Sequence, residues 1–298
     1  MKNICFIINP HSGTGKYKHV EYMLQKYLDK TKYNYTIYYT KYRGHAEEII
    51  KQVLQEQQVD VVAAVGGDGT INEVARTLIN TNVAMAMVPT GSGNGLARHL
   101  KIPNSISKTI EVINKMHIEA IDTLDVNGHP CISIAGTGFD AVIAEKFDET
   151  QTRGFWSYLK FIIKTYFVYK SHTYIIESPE FPSIKKKALL VSIANSSQWG
   201  FNVKISPHAS IQDGKVDICM LQKSKFFTLL GDIFLLLIGQ IEKNKLVIKI
   251  CSASECTIRD QDNDSQYCHI DGDPIARQKE IKIKVNPESL KVVIPTFI

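Results

Sequence analysis

A fully apolar strand, Val61-Val62-Ala63-Ala64-Val65, runs directly into Gly66-Gly67-Asp68-Gly69-Thr70 and from there into a helical pattern, Ile71-Asn72-Glu73-Val74-Ala75. The glycines let the backbone turn sharply and approach a ligand closely, while the helix N-terminus presents unpaired N–H groups that favour phosphate. Thr70 and Glu73 stand at capping-box spacing, which supports the helix start there. An aspartate inside an anion-binding loop repels phosphate unless a metal lies between them, so Asp68 implies Mg²⁺. The plain alternative is a strand-to-helix turn with an acidic N-terminal cap.

Two further loops share the strand-then-glycine form. Asn9-Pro10-His11-Ser12-Gly13-Thr14-Gly15-Lys16 follows the first apolar run, and Pro89-Thr90-Gly91-Ser92-Gly93-Asn94-Gly95 follows the fourth. Neither is a standard fingerprint: Pro10 and Tyr17 depart from a Walker loop, and Leu96 stands where a dinucleotide loop needs its third glycine. In an open parallel sheet, loops at the carboxyl ends of adjacent strands converge on one crevice. Three such loops predict a nucleotide phosphate site.

The surrounding pattern agrees. Ile4–Ile8, Tyr35–Tyr39, Val59–Val65 and Val83–Val88 read as strands, with amphipathic helices over 16–30, 45–57 and 70–80. After Asn127-Gly128 the pattern changes to short apolar runs separated by polar turns, at Ala188–Ala194, Val216–Leu221, Leu246–Ile250, Ile281–Val285 and Leu290–Ile294. The expected fold is therefore an α/β domain over 1–124, possessing or lacking a C-terminal strand at 289–298, followed by a mostly antiparallel β domain over 125–288. A length of 298 residues with 44% apolar content suffices for two cores.

The net charge of +5 falls short of a nucleic-acid binder's basic stripe. The six cysteines form no C-x-x-C pair and read as reduced core thiols. The start, Met-Lys-Asn, lacks signal-peptide features, which predicts a cytoplasmic address. The apolar stretch Phe226–Ile241 is shorter than the ~20 residues of a membrane span and reads as a buried or interfacial helix.

The order N-P-x-S-G, GGDGT-x-N-E and P-T-G-S-G-N-G-L-A-R resembles the diacylglycerol kinase catalytic domain family, which includes bacterial lipid kinases and sphingosine kinases. Asp213-Gly214-Lys215 and Asp271-Gly272-Asp273 fall where that family has its second-domain signatures. The resemblance implies a phosphofructokinase-like α/β domain, a β-sandwich-like second domain, and ATP in the cleft between them. It implies ATP contacts from Asn9, Pro10, His11, Ser12, Gly13 and Thr40, from Gly66, Gly67, Asp68, Gly69, Thr70, Ile71 and Asn72, and from Ser92, where the family often has Thr. It also implies a second, structural Mg²⁺ held by Asp213 and the carbonyls of Ser210 and Lys215; by itself that run is an ordinary turn.

Transfer of phosphate to an alcohol needs a group that accepts the hydroxyl proton. The family's D-G-E carboxylate has that proposed role, which points to Asp273, although Asp in place of Glu shortens the reach by about 1.5 Å. Asp68 is the alternative base, and an Asp in a turn before Pro274 is the bland reading. Asp260, Asp262 and Asp264 read as a solvated turn, without the glycine and terminal Glu of a calcium loop.

The aromatic segment Gly154–Phe167, with Lys160 and Lys164 one turn apart, suits either a lipid interface or core packing, and Lys185-Lys186-Lys187 adds local positive charge. The expected partners are a lipid alcohol substrate and, transiently, the inner face of a membrane. The sequence leaves the oligomeric state open, a homodimer included. NAD kinases carry GGDGT-like loops too, so a soluble nucleotide kinase is the nearest enzymatic rival; a non-catalytic lipid- or nucleotide-binding regulator is the other.

Overall fold

The apolar runs of the first half fold as parallel strands, the inner ones covered on both faces and the edge run Tyr35–Tyr39 partly exposed. In a computed structural model describing residues 1–13, 15–148, 155–200, 203–224, 231, 235, 240 and 247–296, the chain divides into two units, 1–123 with 287–298, and 124–286. In the first unit the elements are β1 (Lys2–Ile8), α1 (Val20–Tyr27), β2 (Tyr33–Tyr39), α2 (His45–Glu56), β3 (Val61–Gly66), α3 (Asp68–Leu78), β4 (Ala84–Pro89), α4 (Gly95–His99) and α5 (Ile106–Lys115). The parallel order is β2-β1-β3-β4. Every residue of β3 and β4 is buried, as a strand covered on both faces requires. On one face Ile4, Phe6, Ile8, Ala63 and Val65 pack with Val20 and Leu24 of α1 and with Ile110 and Ile113 of α5.

Two local expectations are corrected here. The helix expected over 16–30 is a 3₁₀ turn, Lys16–His19, and then the eight residues of α1, closed where Leu28 turns extended. The Thr70–Glu73 capping box does not form. Helix α3 already starts at Asp68 with Gly67 as its cap and no side-chain cap bond, so Thr70 lies inside the first turn. Glu73 instead accepts the Gly44 backbone N–H at 2.9 Å, which ties the loop before α2 to α3.

The second unit contains β5 (Ile118–Val126, begun in the first), β6 (His129–Cys131), β7 (Ile134–Gly138), α6 (Phe139–Asp148), α7 (Phe155–Val168), β8 (His172–Ser178), β9 (Phe181–Ala188), β10 (Leu190–Ala194), β11 (Val216–Leu221), β12 (Val247–Ala253), β13 (Glu255–Asp260), β14 (Gln266–Ile270), β15 (Asp273–Gln278) and β16 (Ile281–Val293). One antiparallel sheet runs β12-β11-β10-β7-β14-β15; β16, β13, β8 and β9 form the other layer. Ala135, Val191, Ile193, Ile218, Cys268 and Ile270 of the first meet Tyr174, Ile176, Ile258 and Ile283 of the second in one apolar core. This is a β-sandwich. The expected α/β domain followed by a β-sandwich-like domain is the architecture observed.

The run 281–285 and all but the last residue of the run 290–294 belong to a single 13-residue strand. Residues Ile281–Lys284 pair antiparallel with β13, and Val292 pairs parallel with Met85 of β4. Between them Pro287 offers no N–H to a ladder, Glu288 takes a positive φ of 50°, and the Glu288 N–H goes to Asp122 at 2.9 Å. The apolar stretch 226–241 lies almost wholly outside the described residues. Among the described residues, no helix is long and apolar enough to cross a membrane.

Candidate functional site

The three glycine loops all leave the carboxyl ends of strands β1, β3 and β4, and hydrogen bonds lock them to one another. Asn9 donates its backbone N–H to Val65 (2.9 Å) and its side-chain amide to Thr70 Oγ1 (3.0 Å). Ser12 Oγ donates to the Asn9 carbonyl at 2.9 Å and lies 2.8 Å from Thr90 Oγ1. The N–H of Thr90 reaches the Gly66 carbonyl at 2.8 Å. Approach is so close that a Cβ on Gly13 would sit 2.1 Å from the Thr90 carbonyl oxygen, at a φ of +62°; only glycine fits there. Thr40, at the end of β2, is buried and donates its N–H to Ile8 at 2.9 Å.

Asp68 joins the second loop to the third. Its Oδ2 accepts the Asn94 N–H at 2.8 Å and its Oδ1 the Gly95 N–H at 2.7 Å, so the carboxylate caps α4, whose own N-cap residue Asn94 sits at φ 50°. The Asn94 side-chain amide in turn holds the Gly91 carbonyl at 2.7 Å, and Arg98 Nε the Gly93 carbonyl at 2.8 Å. Thr90, Asn94, Gly95 and Arg98 are thus parts of the site that were not among the predicted nucleotide contacts. Thr90, Asn94 and Gly95 lie within the third glycine loop, and Arg98 in its continuation L-A-R.

The predicted nucleotide contacts fall into two groups. Asn9, Pro10, Ser12, Gly67, Asp68 and, more openly, His11, Gly13, Gly69 and Ser92 are accessible to solvent, whereas Thr40, Gly66, Thr70, Ile71 and Asn72 are buried. Ile71 has its side chain in the core at 1% exposure and its N–H on the Gly67 carbonyl. Helix α3 begins with no side-chain cap, and a Cβ built on Gly69 in its first turn meets nothing within 4 Å. Uncapped N–H groups at a helix N-terminus favour anions.

In the second unit the D-G-D run is a two-residue hairpin turn between β14 and β15. Ile270 pairs with Asp273, and Asp271 and Gly272 take φ of 54° and 87°, the type I′ pattern. Asp271 is an anchor. Its Oδ1 accepts the N–H groups of Ser133 (2.8 Å) and Ile134 (3.2 Å), and its Oδ2 that of Ile132 (3.0 Å). Asp273, at the first position of β15, is partly exposed.

Ser210, Asp213 and Lys215 lie on one loop before β11. Asp213 Oδ1 accepts the Lys215 N–H at 3.1 Å, and Ser210 Oγ the Gln212 N–H at 3.3 Å. Among the described residues, no group of three or more His, Cys, Asp or Glu side chains could hold a metal; a single carboxylate with carbonyls remains a fit for a hard cation. Asp217 belongs to β11 and accepts the hydroxyls of Ser206 and Ser252. The turn at 260–264 is only partly solvated, contrary to expectation: Asp260 is 7% exposed. It is bound by His172 at 2.7 Å, by the Asn263 amide at 2.7 Å and by the Asp262 N–H at 2.9 Å.

Interlocked glycine loops at the carboxyl edge of a parallel sheet and a β-sandwich unit are each matched by domains of kinase families. Residues 3–126 match the diacylglycerol kinase catalytic domain, and residues 133–294 match the YegS C-terminal NAD kinase beta sandwich-like domain. The diacylglycerol kinase of Bacillus subtilis is 30% identical over 234 residues, 75% of either chain. An uncharacterized protein of Synechocystis sp. is 31% identical over 151 residues, 48% of this chain and 35% of that protein, so the chain spans about a third of that relative. A diacylglycerol kinase structure from Bacillus anthracis superimposes with TM-score 0.73 at 18% identity, covering 99% of this chain and 97% of its own. An NAD kinase from Archaeoglobus fulgidus in complex with ATP gives 0.54 at 10% identity over 97% and 93%. These two likenesses are of fold alone. The chain belongs to the diacylglycerol kinase catalytic domain family, whose relatives are named as lipid kinases.

Proposed function

We propose that the protein transfers the γ-phosphate of ATP to the hydroxyl of a lipid alcohol, diacylglycerol-like or sphingoid-like, with Asp273 accepting the hydroxyl proton. ATP carrying Mg²⁺ supplies the phosphoryl group and neutralises its charge. The protein's share is positioning: backbone N–H groups at the start of α3 and the loops at 9–13 and 89–95 hold the phosphates.

The observation that carries the assignment is a division of roles among the aspartates. Asp271 is engaged by three backbone N–H groups, and both oxygens of Asp68 by two. Protonating either would weaken the charge-assisted bonds that hold a loop. Asp273 stands at the strand end beyond the Asp271 anchor, and proton acceptance there leaves those anchors intact. The loop at Ser210, Asp213 and Lys215 is proposed as the seat of the structural Mg²⁺, on the donor chemistry already described.

Asp273→Asn is expected to abolish phosphorylation while leaving ATP binding near normal; turnover by this variant would remove Asp273 from the mechanism. ATP consumption against diacylglycerol, sphingosine, phosphatidylglycerol and NAD tests the acceptor class. Phosphorylation of NAD alone would overturn the lipid reading, and ATP binding with no turnover on any acceptor would favour a regulator.

Contact with a membrane surface at the end of α7 is part of the proposal. Ile163, Phe167 and Val168 are 49%, 53% and 74% exposed, beside exposed Lys164 and Lys170. Apolar side chains flanked by lysines suit an anionic interface. The side chains of 155–160 lie outside the described ones.

A further inference from the structure

We propose that Asp140 and His269 act as a positioning pair that sets the Asp271-Gly272 turn, and through it the direction of the Asp273 carboxylate. The inference rests on Asp273 being the proton acceptor. It begins with strand alternation: Cys268 and Ile270 face the sandwich core, so His269 between them faces the other side of the sheet, where α6 brings Asp140. His269 is 5% exposed. A buried imidazole must find partners for both ring nitrogens.

It does. The Gly272 backbone N–H lies 3.4 Å from His269 Nδ1, and because a backbone N–H can only donate, Nδ1 holds the lone pair and Nε2 the proton. That proton is donated to Asp140 Oδ2 at 3.1 Å. Asp140 Oδ1 accepts the Ala141 N–H at 2.8 Å. A chain of hydrogen bonds thus runs from the start of α6 through the imidazole to the residue preceding Asp273.

The backbone makes room for this pair. Gly136 on β7 lies opposite His269 in the ladder, and a Cβ there would stand 2.3 Å from Asp140 Oδ2 and 2.6 Å from His269 Nε2. A side chain at 136 would displace one partner or the other. Asp271 holds the turn from its first residue and the His269–Asp140 pair from its second. Removing the second hold leaves the hairpin paired but lets the Gly272 peptide, and Asp273 after it, rotate.

The test measures kcat and KM for ATP with whichever of dioleoylglycerol, sphingosine and phosphatidylglycerol the wild-type protein phosphorylates in mixed micelles. Asp140→Ala and His269→Asn, the latter keeping an acceptor for Gly272 but losing Asp140, are expected to lower kcat roughly 10- to 100-fold with KM for ATP changed less than about twofold. Asp140→Asn keeps an acceptor for Nε2–H and is expected to recover most of the loss. If Asp140→Ala does not fold, His269→Asn and His269→Gln carry the comparison. Wild-type kcat in these variants alongside an inactive Asp273→Asn overturns the pairing and leaves the acceptor reading standing. Parallel losses in kcat and ATP binding also overturn it, as general damage. An active Asp273→Asn, or no lipid phosphorylated by the wild type, overturns the acceptor reading and this inference with it.

Discussion

Asp68 caps the helix that Asn94 begins: its Oδ2 accepts the Asn94 backbone N–H at 2.8 Å, across a separation of 26 residues. One side chain of the GGDGT loop therefore fixes the third glycine loop in place. The aspartate that the sequence presents as a metal-directed residue is, in the folded chain, a loop clamp.

Asp68→Ala removes that clamp. We expect a loss of about 1 to 2 kcal/mol of stability, read as a lower melting temperature, and weaker binding of ATP in the presence of EDTA as well as with Mg²⁺. Unchanged metal-free ATP binding would restrict Asp68 to a metal-dependent role.

Asp271→Ala leaves the N–H groups of Ile132, Ser133 and Ile134 without their acceptor. The expected cost is about 2 to 3 kcal/mol, seen in denaturant unfolding. A stability within experimental error of wild type would show that these groups find new partners at no cost.

His99 closes α4, and burial pushes its imidazole below the ordinary value of 6.5. The folded state then binds this proton less readily than the unfolded one. Stability from this group is fully present above pH 6.5 and declines as pH falls through 6.5 towards the lower folded value. Melting temperatures between pH 8 and pH 5 are expected to show the decline, and His99→Gln to make it shallower. An identical slope in the variant would assign the acid sensitivity elsewhere.

The exposed end of α7 predicts vesicle binding. Ile163→Ser combined with Phe167→Ser is expected to reduce sedimentation with phosphatidylcholine vesicles containing phosphatidylglycerol. Lys164→Gln should weaken only the anionic component, by roughly fivefold for a cation worth about 1 kcal/mol. No sedimentation of the wild-type protein with either vesicle type would count against membrane contact.

Much of the fold is legible without coordinates because its signals are short in sequence. Val61–Val65 is apolar throughout, and each of its residues is buried on the β3 strand. The runs at 188–194 and 216–221 alternate with polar turns, and they form antiparallel β10 and β11. The capping box failed for a local reason of another kind: T-x-x-E spacing cannot reveal that the helix starts two residues earlier, at Asp68, or that Glu73 has a better donor in Gly44. The turn at 260–264 failed because His172, which buries Asp260, lies 88 residues away.

By itself, the sequence determined the family, the alternation of strands and helices in the first half, and the positions of the glycine loops, because backbone freedom, apolar periodicity and turn chemistry act between near neighbours. Only the tertiary structure decided that Asp68 clamps Asn94 and Gly95. The same holds for the single strand Ile281–Val293, and for Asp271, which is spent on Ser133 across 138 residues. Those outcomes depend on which donors the folded backbone leaves without partners. A carboxylate's chemistry names its possible partners, but the fold sets which of them lies within 3 Å.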